Sequence, residues 1–282
     1  VGVFPLIPCV VCQPCRKKAY EMCRHYSYTG SRRDGAFAEY VAVPAKNLIE
    51  LPESVSFEEG AMLEPMAVAV HAMRRAVPGT GDIAAVCGLG TIGTLLLMFL
   101  LEAGVKDVFV FGNKEFQRQA VLRMGLPESR YCDSRDEAAG KWFMEQMRQA
   151  ESGLEKESEG RAGADVFFEC VGRNETVLQA VNLSAPGGRI CLVGNPYGDM
   201  AFGKDVYWKI LRNQLTVTGT WNSSFLHGEE DDWHYVLSRL AEKRIAPAGL
   251  ISHRLTMEEL GKGTLIMRDK TEDYMKIMVS MQ

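Results

Sequence analysis

The sequence shows no cationic surplus, no long apolar run and no basic-then-apolar opening stretch. Its 282 residues carry 32 lysines and arginines against 36 aspartates and glutamates, a formal charge of −4. A protein that grips a nucleic-acid backbone normally shows a basic face, so no nucleic-acid partner is expected. The longest unbroken apolar run of the most hydrophobic stretch covers residues 95–101, too short to span a bilayer, so no membrane partner is expected either. No amino-terminal basic-then-apolar segment marks a secretory signal. No internal repeat or low-complexity tract is visible. The chain opens on Val1 rather than on methionine, and its first residues read as the middle of something. What is present is a composition 46% hydrophobic and 24% charged, long enough at roughly 100–200 residues per domain for about two domains.

The eight cysteines are unevenly placed. Cys9, Cys12, Cys15 and Cys23 form a C-x2-C-x2-C-x7-C cluster, whereas Cys87, Cys132, Cys170 and Cys191 stand singly in apolar surroundings. Without a signal segment the compartment reads as cytoplasmic, where disulfides are rare and a tight four-cysteine cluster binds metal more often than it oxidises. Four thiolates satisfy a tetrahedral zinc completely and leave no open position, so the ion would be structural. Two disulfides, or a zinc ribbon on nucleic acid, are the alternatives; the few basic residues nearby weigh against the ribbon. The four scattered cysteines read as small core hydrophobes.

Along the chain, residues 1–52 read as strand- and loop-rich, with a partly alternating strand over 37–43 and a short extended piece over 48–51. Ser56 followed by Glu59 has the capping-box spacing, and residues 60–76 can form one or more helices broken near Pro65. From residue 82 the rhythm changes to short apolar strands alternating with helices. Strands are expected at 83–87, 108–111, 130–132, 164–171, 189–193 and 215–220, and helices at 91–103, 115–124, 134–150, 176–183 and 206–212. This alternation predicts a parallel sheet covered on both faces. Residues 151–163 read as a charged, solvated insertion. The tail predicts helices at 231–243 and 257–267 and strands at 250–253 and 274–279.

Gly88-Leu-Gly90-Thr91-Ile92-Gly93 is G-x-G-x-x-G, placed directly after the first strand of the alternating region and opening its first helix. In that position the first glycine makes the tight turn, the second lets backbone approach a pyrophosphate, and the third lets helix and strand pack closely. The alternative is an ordinary strand–helix turn with three chance glycines. The next strand runs into Gly112-Asn113-Lys114. A dinucleotide-binding sheet usually carries Asp or Glu there for the ribose hydroxyls. Gly112 removes a charge that would repel a 2′-phosphate, and Lys114 could pair with one. That tilts the reading from NAD toward NADP; the alternative is an ordinary NAD ribose held by Glu115 or by backbone.

Together, the cysteine cluster, Asp34-Gly-Ala-Phe-Ala-Glu-Tyr40, Gly60-Ala-Met-Leu-Glu64-Pro65, the glycine turn, Gly163-Ala-Asp-Val-Phe-Phe-Glu-Cys-Val-Gly172 and Pro186-Gly-Gly-Arg-Ile-Cys-Leu-Val-Gly194 resemble the zinc-dependent medium-chain dehydrogenases. The segment from Leu63 to Ala72, with Gly30-Ser-Arg-Arg-Asp-Gly35, residues 209–221 and residues 250–254, looks like the polyol branch of that family. The resemblance implies an α/β fold: a Rossmann doubly wound parallel sheet plus a partial GroES-like, β-rich catalytic domain bearing the zinc lobe. It divides the chain into 1–70 (catalytic domain), 71–222 (Rossmann domain) and 223–282 (a segment returning toward the catalytic domain). It implies a zinc-dependent oxidoreductase that moves a hydride between NAD or NADP and a secondary alcohol of a polyol, or of a polyol phosphate of the galactitol 1-phosphate kind, working as a dimer or tetramer.

Residue by residue, the resemblance adds Val193, Gly194, Gly219 and Thr220 to the cofactor contacts and Glu64 as a ligand of a catalytic zinc. Spacing alone favours reading Glu64 as a helix-start residue, and it is the resemblance that gives it the metal role. The other two catalytic ligands of the family lie upstream of the zinc lobe and have no counterpart here. The chain is therefore expected to lack the front of its catalytic domain and to show little activity alone. Substrate contacts are expected at Ser31, Arg32 and Arg33, where arginine suits a phosphate, and at Trp221 and Asn222. A solvated basic turn and a core or interface tryptophan are the respective alternatives. A catalytically silent nucleotide-binding or assembly protein of the same fold is the competing function.

Overall fold

The computed structural model describes residues 1–136, 138–151, 163–228 and 230–281, so the expected insertion lies, from 152 to 162, outside the described residues. The chain divides into two compact units, Val1–His71 with Trp221–Gln282, and Ala72–Thr220.

The amino-terminal part of the first unit holds β1 (Gly2–Val3), β2 (Leu6–Ile7), α1 (Gln13–Arg16), β3 (Ser27–Tyr28), β4 (Leu48–Ile49), α2 (Phe57–Ala61) and the start of α3 (Leu63–Ala76). β1 pairs antiparallel with β4, and β2 with β3. The second pair brings Ile7 opposite Ser27 and so closes the loop that carries the four clustered cysteines. Asn47, buried, donates through Nδ2 to the carbonyls of Phe4 (2.8 Å) and Leu6 (2.7 Å), which satisfies the irregular backbone between β1 and β2. Ser56 caps α2 in the expected box: its Oγ accepts from the Glu59 N–H (3.2 Å) and its own N–H donates to Glu59 Oε2 (2.8 Å).

The second unit is built from β5 (Ile83–Cys87), α4 (Thr91–Glu102), β6 (Asp107–Gly112), α5 (Glu115–Arg123), β7 (Tyr131–Asp133), α6 (Ala139–Glu151), β8 (Ala164–Glu169), α7 (Asn174–Leu183), β9 (Ser184–Leu192), α8 (Lys204–Arg212) and β10 (Thr216–Gly219). All six strands are parallel, in the order β10-β9-β8-β5-β6-β7. Every residue of β5 is buried, as a central strand covered on both faces requires. On one face Phe109, Phe111, Phe143 and Phe167 interlock, with Phe109 and Phe143 edge to face at 5.3 Å. Each such ring contributes about 1.5–3 kcal/mol of burial.

The chain then returns to the first unit through α9 (Asp232–Ala241), β11 (Ile251–Thr256), α10 (Leu260–Asp269) and β12 (Lys276–Ser280), with β11 and β12 parallel. Trp233 is buried edge-on against Phe4 (5.3 Å) and donates to Ser223 Oγ (3.0 Å), so the two ends of the chain share one aromatic core.

Three local expectations are corrected. Residues 37–43 form no strand; they pair with none of the described strands, and Phe37 and Tyr40 are exposed instead of alternating into a core. The break expected near Pro65 falls at Met62, because a proline in the first turn of α3 has no helical N–H to lose. Residues 134–136 and 138 are turns and a bend rather than the first turn of α6, which starts at Ala139. β9 is an interior strand, paired on both sides, and β10 is an edge of the sheet. Among the described residues no helix is long and apolar enough to cross a membrane.

Candidate functional site

The strand order reverses direction between β5 and β8, and the G-x-G-x-x-G turn sits at that switch point. This is where an open parallel sheet leaves a crevice beyond its strand ends. The three glycines have separate geometric reasons. Gly88 takes φ +98°, and a Cβ there would lie 2.5 Å from Val171 Cγ2. A Cβ on Gly93 would overlap the carbonyl oxygen of Gly88. Gly90, the N-cap of α4, has nothing within 4 Å of where its Cβ would be, so the space in front of the helix start is open. Thr91 and Ile92 follow as the first helical residues, with their N–H groups at the positive end of a twelve-residue helix. This cradle fits a pyrophosphate.

The neighbouring strand ends are tied to one another. Glu169, buried at the end of β8, accepts from the N–H groups of Val171 (2.8 Å) and Gly172 (2.9 Å) and from Thr176 Oγ1 (2.8 Å). Its backbone carbonyl accepts from Val193 (2.8 Å) and Gly194 (2.9 Å). A Cβ on Gly194 would collide with the backbone of Val171 and Gly172, so these two loops meet backbone to backbone. Gly219 is open at the end of β10, and the Thr220 N–H donates to Leu192 O at 3.1 Å. Thr220 Oγ1 is buried with no hydrogen-bond partner among the described residues, an unsatisfied group in the row of predicted cofactor contacts. Gly112 ends β6, with Asn113 and Lys114 exposed beyond it.

In the first unit the sulfurs of Cys9, Cys12, Cys15 and Cys23 all lie within 4.8 Å of one another. Cys12 and Cys15 are 3.4 Å apart, Cys12 and Cys23 3.9 Å, Cys9 and Cys15 4.0 Å. Four sulfurs at about 2.3 Å from a central ion stand about 3.8 Å apart, so this donor set fits tetrahedral zinc. Backbone hydrogen bonds from Arg24 and Cys15 hold the Cys12 thiol down to about 6, whereas burial pushes Cys15 up to about 12. Val10, between the first two ligands, sits at φ +56°.

Glu64, second residue of α3, accepts a hydrogen bond from the Tyr28 hydroxyl at 3.2 Å. Burial pushes its carboxyl above the ordinary range, and burial followed by the Glu64 charge pushes the Tyr28 phenol up as well. Among the described residues the four cysteines are the one set of three or more side chains placed to share an ion; Glu64 belongs to none. A catalytic zinc therefore does not fit the residues described. His71 Nδ1 lies 2.8 Å from Asp232 Oδ2, which also accepts from the N–H (2.7 Å) and hydroxyl (2.8 Å) of Ser224.

The arginine loop is compact. Arg32 stacks its guanidinium over the Tyr26 ring, 3.9 Å from the centroid, and donates to Tyr26 O at 2.8 Å. Ser31 and Arg33 are exposed, and the Arg33 carbonyl closes the loop by accepting from the Gly30 N–H (3.1 Å). Trp221 is 51% exposed, which removes the core reading. Asn222, at φ +53°, donates to Glu21 O at 3.4 Å. The sequence reading missed Glu169 and Tyr28. An acidic residue closing an apolar strand is a signal that could have found Glu169; Tyr28 has none, because its partner lies 36 positions away.

Comparison with known proteins follows the same lines. A family model described as a zinc-binding dehydrogenase matches residues 91–242, and one for the alcohol dehydrogenase GroES-like domain matches residues 1–53. Galactitol 1-phosphate 5-dehydrogenase of Escherichia coli strain K12 is 28% identical over 262 residues, covering 93% of this chain and 72% of that protein. The crystal structure of galactitol-1-phosphate dehydrogenase from Escherichia coli aligns with a TM-score of 0.79 at 29% identity, over 97% of this chain and 76% of that one. A proposed zinc-binding dehydrogenase from Sinorhizobium meliloti 1021, bound to NADP, aligns with a TM-score of 0.81 at 26% identity, over 99% of this chain and 75% of that one.

Proposed function

The chain belongs to the zinc-binding dehydrogenase family, and on that premise we propose that it transfers a hydride between a secondary alcohol of a polyol phosphate and a nicotinamide dinucleotide. The observation that carries the reading is the glycine turn at the switch point of the six-stranded sheet, open at Gly90 and closed at Gly88 and Gly93. The nicotinamide, when bound, accepts or donates the hydride. The residues of this chain do the holding. Gly88, Gly90, Thr91, Ile92 and Gly93 cradle the pyrophosphate. Val193, Gly194, Gly219 and Thr220 line the path of the cofactor, with the Thr220 hydroxyl gaining there the partner it lacks. Gly112, Asn113 and Lys114 meet the adenosine ribose. With no carboxylate at 112, a 2′-phosphate is admitted, which favours NADP.

Cys9, Cys12, Cys15 and Cys23 hold zinc as a structural ion; with all four positions filled it leaves none for substrate. Glu64, partly buried and bonded to Tyr28, is the carboxylate offered to the substrate hydroxyl. Arg33 contacts the substrate phosphate, while Arg32, committed to Tyr26, shapes the loop. Trp221 and Asn222 flank the substrate. Eight free thiols suit the cytoplasm. The exposed apolar residues Tyr207, Trp208 and Leu211 of α8 and the open edge of strand β10 favour a homo-oligomer.

The test is the reduction of NAD and NADP by galactitol 1-phosphate, galactitol and sorbitol. Arg33→Ala should raise KM for the phosphorylated polyol more than for the others; equal effects would remove Arg33 from the site. Tight cofactor binding with no turnover of any of the three alcohols would count against the hydride-transfer reading.

A further inference from the structure

Gly112 leaves the adenosine ribose without its usual carboxylate, yet the space beside it is filled. A Cβ on Gly112 would lie 2.7 Å from Leu89 Cδ1 and 3.2 Å from both Cε2 and the hydroxyl of Tyr131. Tyr131 opens β7 and pairs with Val110 of β6, a register that sets its ring alongside the end of β6. Its hydroxyl therefore lies in contact with the place where a side chain at 112 would begin. It makes no hydrogen bond to the described residues, and the ring is half-buried with the Arg118 guanidinium 5.9 Å from its centroid. Leu89, the residue between the first two glycines of the turn, is fully buried and closes the other side.

We propose that Tyr131 replaces the missing carboxylate as the residue that recognises the adenosine ribose, its hydroxyl serving a 2′-hydroxyl and a 2′-phosphate alike. The proposal rests on the dinucleotide reading above. A carboxylate only accepts, so it binds a ribose hydroxyl and repels a phosphate. A phenol both donates and accepts, so it can accept from the hydroxyl of one cofactor and donate to the phosphate of the other. Burial, then the charges of Asp133 and Glu115, hold its pKa above the ordinary value, so it carries no charge at neutral pH. Of the cations nearby, Arg118 is paired with Glu115 (2.9 Å) and Glu128, and Arg135 with Asp133, while Lys114, exposed beyond Gly112, adds to the hold on a 2′-phosphate.

Calorimetric titration of the full chain with 5′-AMP and 2′,5′-ADP, the adenosine halves of the two cofactors, tests this without any turnover. The wild type should bind the two within about tenfold of each other. Tyr131→Phe keeps the ring against Leu89 and Gly112 and removes only the hydroxyl. It should weaken both probes by roughly fivefold to tenfold, the loss of one neutral hydrogen bond. Unchanged binding of both probes by Tyr131→Phe would overturn the proposal, as would a wild type that excludes 2′,5′-ADP by about a hundredfold or more relative to 5′-AMP. If the wild type binds neither probe, the dinucleotide reading itself fails.

Discussion

Replacing Val10 by glycine should make the cysteine lobe hold zinc more tightly. Val10 sits at φ +56° between Cys9 and Cys12, in the left-handed region that a β-branched residue avoids. It is 51% exposed, so packing does not offset the conformation. The geometry of the two flanking thiolates is what imposes it. The left-handed form costs a residue with a Cβ roughly 1–2 kcal/mol. Glycine removes that cost but loses about 0.4–1 kcal/mol through its freer unfolded chain. The net gain is about 0.5–1 kcal/mol, or a twofold to fivefold tighter ion. Competition with a chromogenic chelator reads the affinity directly. Thermal unfolding should shift upward by about 1–3 °C in the zinc-loaded protein and not at all in the stripped protein, where the loop is free to relax. Valine and glycine proteins that release zinc alike, or a faster loss from Val10→Gly, would refute the reasoning.

Two further outcomes are expected. Gly93→Ala should abolish 5′-AMP binding and lower stability by about 1–3 kcal/mol, because its Cβ meets a backbone oxygen that cannot move aside; wild-type binding in calorimetry would count against the turn as the nucleotide site. Asp232→Asn should cost about 1–3 kcal/mol in denaturant unfolding, since one buried oxygen accepts from His71 and twice from Ser224. Burial raises the Asp232 carboxyl, but the hydrogen bonds from His71 and Ser224 outweigh it and hold it below its ordinary value. A depressed carboxylate stabilises the fold above its unfolded pKa and loses that contribution as pH falls through the folded one. The gap between the two proteins should therefore narrow below about pH 4; a gap that is constant with pH would rule out this linkage.

The parts legible in the sequence are those whose cause is local. Ser56 and Glu59 are three apart, and the box they form is present. Three glycines after an apolar strand place the cradle, because turn, approach and helix packing are all settled within six residues. Four cysteines in one short segment converge for the same reason. Tyr28 on Glu64, Asp232 on His71 and Tyr131 beside Gly112 are contacts made by topology, and no spacing in the chain announces them. The failed strand over 37–43 makes the converse point: partial alternation describes a strand only when a neighbour offers it a ladder.

The strand order also carries a consequence for how the crevice comes into being. Residues paired between β5 and β6 are only roughly 24 positions apart. The Ile83 N–H, by contrast, donates to Asp165 of β8 at 2.9 Å across 82 positions. Closing the longer loop costs about 1 kcal/mol more in chain entropy. The seam between β5 and β8 is thus the most expensive closure at the centre of the sheet, and it is the seam the glycine turn overlooks. A nucleotide seated there spans the two halves of the sheet, so its binding energy falls on the joint that the folding chain has the greatest difficulty making.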